Sequence, residues 1–300
     1  MGSKSCCNKR IVSDQRVMSI APLNDREIAK EEYSSSNDAL LNVIEVKNNL
    51  LTNITLVEYI NILEYYTDET DKIPFNPNGN LKIEFSPKDE FLNYIVSNEE
   101  FKRFLENHII KIDTISEIYG KDQKKLEIFV NFLMKVFEEL KIKRNEHYND
   151  KKEMETITKR ILISFGILFC SSNIVGKVRL IFDIFKNEKG VFTPSEKFEE
   201  YLLSSFLISS YCMISARKNI SSKENNIEEL SNQQLIQCLS VCELKDCQAL
   251  LNSFKEDFFD ENEGGYNWIE FKEKFEKKDK GFQWILSTRG IRKKLEEHNV

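Results

Sequence analysis

The sequence predicts a mainly α fold, and three observations carry the prediction. Twenty-one Phe stand against ten Gly and five Pro, a balance that favours long regular elements over a turn-rich β architecture. Charged residues make up 31% of the chain, which suits exposed helix faces. Across 300 residues, 41% are hydrophobic and 11% aromatic, enough for a sizeable core in one large domain or two small ones.

Taken in order, residues 1–36 read as a flexible segment, polar through SIAPLNDREIAKEEYSSSNDAL, with folding beginning near Ala39. LLNVIEVKNNLL and TLVEYINILEYY then carry apolar residues at helical spacing. The second opens on Thr55 with Glu58 three later, a capping box in which each residue satisfies a backbone N–H of the other. IPFNPNGNLKIEFSP holds three of the five Pro and an Asn-Gly, so it is a loop with a short strand at LKIEF, and helix resumes at Lys88. Ser97 and Glu100 form a second capping box ahead of FKRFLENHII. In KKLEIFVNFLMKVFEELK, Leu126, Phe129, Val130, Leu133, Val136, Phe137 and Leu140 share one face, a stripe suited to core burial. The charge-dense stretch KIKRNEHYNDKKEME then marks a border near residue 150. The expected division is therefore an anchor segment at 1–36, an N-terminal helical region at 37–150 and a C-terminal domain at 151–300.

Past that border, VRLIFDIFKNEKGVFTPSEKFEEYL places Val178, Ile181, Phe182 and Phe185 on a helical stripe that ends in a polar turn at Gly190. Phe192 follows, and then TPSE opens a new helix, with Thr193 as cap, Pro194 at the first helical position and Glu196 closing the box. A second copy stands at ALLNSFKEDFFDENEGGYNWIEFKEKF, where Gly264, Tyr266, Asn267 and Glu270 repeat the same order. Leu251, Phe254 and Phe258 face inward before that turn, and Phe271 and Phe275 after it. SSFLISSYCMISA and ELSNQQLIQCLSV lie between the copies as a helical extension and added packing.

Helix, glycine turn, apolar residue, capped helix: this order resembles the EF-hand, whose twelve-residue loop needs Gly at position 6 and a bidentate Glu at position 12. The resemblance covers roughly residues 160–290 and implies a helix–loop–helix pair joined by short β-pairing of Phe192 with Tyr266, with the N-terminal region a more decayed pair. Calcium wants several hard oxygens, beginning with Asp at position 1. Lys186 stands there in the first loop, which disqualifies it. The second loop has Phe259 at position 1 but Glu261, Glu263 and Glu270 at 3, 5 and 12, with Asp260 adjacent. No cofactor is expected, and any calcium falls to that second loop.

Net charge is −6 and the isoelectric point about 5.5, which argues against nucleic acid as a partner, because phosphate binding needs a basic surface. Seven scattered cysteines without a C-x-x-C pair fit a reducing cytosol. The longest apolar run, ILISFGILFC, is about half of what a spanning helix needs, and residues 1–20 lack the apolar core of a secretory signal.

The opening MGSKSCCNKR instead reads as a membrane address. Gly2 is placed for N-myristoylation. One acyl chain holds a membrane only marginally, so a second signal is needed, and Cys6 and Cys7 offer palmitoylation. Lys4, Lys9, Arg10 and Arg16 add attraction to anionic lipid, about 1 kcal/mol per charge near the surface. An acylated Gly2 joined to EF-hand-like motifs looks like the neuronal calcium sensor and calcineurin-B-like families, which are myristoylated adaptors without catalytic activity. That resemblance implies a lipid-anchored protein at the cytoplasmic face of a membrane, offering a protein partner an apolar cleft lined by residues 200–216. A calcium-responsive sensor relying on Glu270 and a structural protein of the cortex or cytoskeleton are the competing readings. No phosphate loop, dinucleotide fingerprint, H-E-x-x-H or G-x-S-x-G motif supports an enzyme.

Overall fold

The structure, a computed structural model, describes residues 50–65, 95–119, 122–148, 156–221, 233, 239, 243–259, 264–277 and 281–298. The expected helix at 40–51, apart from its last two residues, the strand at 81–85 and the helix start at Lys88 lie outside them, as does the anchor segment. What is described is mainly helical.

Leu50–Asn53 forms a 3-10 turn that leads into α1, Leu56–Tyr65. The expected box opens α1: Glu58 N–H donates to Thr55 Oγ1 at 3.2 Å, and Thr55 N–H to Glu58 Oε2 at 3.4 Å. Strand β1, Ile95–Val96, runs directly into Ser97, which caps α2, Asn98–Phe104, through the second expected box. The backbone then widens to a π-helical turn at Leu105–Ile109, and α3, Asp113–Tyr119, precedes the long α4, Gln123–Tyr148. Helix α4 carries on through the first half of the charge-dense stretch, where a break was expected from residue 141. No Gly or Pro interrupts it there, and Lys143 pairs with Glu146 one turn on, at 2.8 Å.

Strand β2, Ile157–Thr158, pairs antiparallel with β1 in the register Ile95 with Thr158 and Val96 with Ile157. It leads into α5, Lys159–Phe169, every residue of which is buried. A helix buried on all sides lies inside a larger body, and α5 packs against α1 and against α7 of the C-terminal half. Tyr59 of α1 donates its hydroxyl to Leu162 O at 3.0 Å. A Cβ at Gly166 would stand 2.6 Å from the Tyr59 ring, so glycine sets how closely the two helices approach.

The C-terminal half comprises α6, Ile174–Phe185; α7, Glu196–Leu207; a π-helical turn at Ile208–Cys212; α8, Met213–Ser221; α9, Leu244–Phe259; α10, Trp268–Glu276; a 3-10 turn at Phe282–Leu286; and α11, Thr288–His298. The border expected near 150 does not divide the packing. Buried residues from Leu51 to Leu295 form one continuous core, and the β1–β2 ladder joins chain from either side of it. The described residues all fall in a single compact unit at 33–300.

Candidate functional site: the paired loops

Helices α6 and α7 flank one loop, and α9 and α10 flank the other. The two loops meet through Phe192 and Tyr266, whose backbones exchange both hydrogen bonds, each N–H to O=C at 2.8 Å. This is the residue pair anticipated from the sequence. The Phe192 ring is fully buried among Phe182, Phe198, Phe258, Phe259 and Phe271, with centroids at 6.5, 4.8, 6.1, 6.1 and 4.3 Å. Tyr266 donates its hydroxyl to Phe258 O at 2.6 Å, and the Lys274 ammonium lies 5.0 Å from its ring centroid. The apolar residue of each loop thus joins backbone pairing to the aromatic core.

The first loop is closed upon itself. Asn187 Oδ1 accepts from the N–H groups of Lys189 and Val191, each at 3.0 Å, and Asn187 N–H donates to Val191 O at 2.8 Å. Gly190, at φ 74°, makes the reversal. Lys186, in the place where a calcium loop needs a carboxylate, swings back to Asp183: its Nζ lies 2.8 Å from Oδ1, while Arg179 Nε holds Oδ2 at 2.6 Å. The Asp183 carboxylate, three residues before this loop's first position, is therefore neutralised by two side-chain cations of the protein itself, and the loop's Asn oxygen is committed to backbone. The helix after the loop starts later than expected. Ser195, not Thr193, is the cap, accepting from Phe198 N–H at 3.3 Å, and Pro194 precedes the helix rather than opening it. Proline disfavours helical geometry in the residue before it, so Thr193 stays with the extended chain that follows Phe192.

In the second loop, Glu261, Glu263 and Asp260 lie outside the described residues. Glu270 is described, and its carboxylate closes a capping box: Asn267 N–H donates to Oε2 at 2.9 Å, and Asn267 Oδ1 accepts from Ile269 N–H at 2.9 Å and Glu270 N–H at 3.2 Å. Gly265, which follows Gly264, has a left-handed backbone, at φ 84°. A Cβ there would lie 2.5 Å from Phe192 O, so the close approach of the two backbones requires glycine at 265. Phe259 is the last residue of α9, its ring lying nearly parallel to Phe192. Among the described residues, no group of three or more His, Cys, Asp or Glu is placed to hold a metal ion.

The expected open cleft is absent. Every residue from 201 to 216 is buried except Tyr211, which is half-buried. Helix α4 covers one side of this segment and α11 another. Ile291 and Leu295 of α11 are buried, Arg292 Nη1 donates to Ser209 O at 3.4 Å, and Trp284 stacks on Phe206 at 5.6 Å. Sequence reasoning missed α11. Its signal was there in Ile291 and Leu295, four residues apart in a run otherwise rich in charge.

The lipidation candidates Gly2, Cys6 and Cys7 lie outside the described residues. No helix among the described residues is long and apolar enough to cross a membrane. No protein-family model, curated protein or solved structure matches the chain.

Proposed function

We propose that this protein is a membrane-tethered, non-catalytic adaptor built on EF-hand-like helix–loop–helix pairs that hold together without calcium, and that it binds a protein partner. The observation that carries the reading is the reciprocal Phe192–Tyr266 pairing beside a first loop whose Lys186 and Asn187 side chains are already engaged. Calcium-filled loops gain their rigidity from an ion held by several oxygens. Here the Lys186 and Arg179 cations, the Asn187 turn and the Phe192 aromatic cluster supply it instead. The N-terminal half repeats the plan, since Val96 and Ile157 pair directly ahead of the caps of α2 and α5. Two such pairs form a rigid helical body suited to presenting a surface. The tether is Gly2 with Cys6 and Cys7, two acyl signals where one would be marginal, at the cytoplasmic face of a membrane.

The test is a calorimetric calcium titration of the full chain beside its Glu270→Gln variant. The expected result is no saturable binding at micromolar calcium. Saturable binding that the variant loses would overturn the adaptor and favour a calcium-responsive sensor using Glu261, Glu263 and Glu270. In cells, Gly2→Ala is expected to move the protein from the membrane to the soluble fraction. Retention in a detergent-resistant cytoskeletal pellet would favour a structural protein of the cortex.

A further inference from the structure

No further inference is drawn: the strongest candidate, the surface patch at the start of α10 where Ile269 is 67% exposed beside Trp268, whose ring centroid lies 4.7 Å from the Arg179 guanidinium of α6, is an apolar face, and nothing in the structure shows what covers it.

Discussion

Gly190 and Gly265 separate two costs that usually arrive together. Both have positive φ, at 74° and 84°, so alanine at either meets the left-handed penalty of about 1–2 kcal/mol. Around Gly190 a new Cβ meets nothing within 4 Å, whereas at Gly265 it meets Phe192 O at 2.5 Å, Thr193 Cγ2 at 2.7 Å and Val191 Cγ1 at 2.9 Å. The nearest of these is backbone held in the reciprocal pair, so relief requires the loops to part. Two hydrogen bonds at about 0.5–1.5 kcal/mol each are then at stake. Gly190→Ala is expected to cost about 1–2 kcal/mol and Gly265→Ala about 2–5 kcal/mol. Urea denaturation of both variants, with unchanged m-values, measures the difference as a shift in midpoint. Equal losses within about 0.5 kcal/mol would refute the idea that close backbone approach holds the loops together.

Three further outcomes follow from the packing. Phe192→Ala empties the centre of the aromatic cluster and is expected to cost about 3–5 kcal/mol in denaturant unfolding, whereas Val175→Ala, at a residue 45% exposed, should stay within about 0.5 kcal/mol; similar losses would count against the cluster. Glu200 lies between the guanidiniums of Arg144 and Arg160. Glu200→Gln leaves two cations without their shared carboxylate and is expected to cost about 2–3 kcal/mol, less than the about 3–5 of a sealed pair because 19% of the Glu200 side chain remains exposed. Burial pushes the Cys247 thiol from 9.0 up to about 11. Below pH 9 both folded and unfolded thiols keep their proton and nothing changes. Between pH 9 and 11 only the unfolded thiol ionises, so stability falls as pH rises, by about 1.4 kcal/mol per pH unit at most from this group. Denaturation midpoints of the native chain and Cys247→Ala should converge over that range, and a constant gap would refute the assignment.

Much of the fold was legible wherever one local rule decides. The capping boxes at Thr55, Ser97 and Asn267 and the inward faces of α6, α9 and α10 depend on neighbours three or four residues away. The Phe192–Tyr266 pair was legible for a different reason: both stand at equal places in a repeated local order. What failed depended on distant chain. The segment at 201–216 is buried because α4 and α11 cover it, and no property of SSFLISSYCMISA announces its covers. The border near 150 was inferred from charge, yet Lys141 of that stretch is buried, with its ammonium donating to Asn98 Oδ1 at 2.7 Å. Charge density marked a half-buried helix end, not a linker.

Helix α5 has a consequence for how the protein must be made. Its eleven residues are covered by chain made before it, at α1, and by chain made after it, at α7. While only the first 170 residues exist, Ile161, Leu162, Ile163, Phe165, Ile167, Leu168 and Phe169 lack the cover of α7, Glu196–Leu207. A messenger cut short in that interval would yield a product fit for chaperone capture or degradation, and dividing the gene at codon 150 would not give two soluble halves. Synthesis is thereby committed to the whole body.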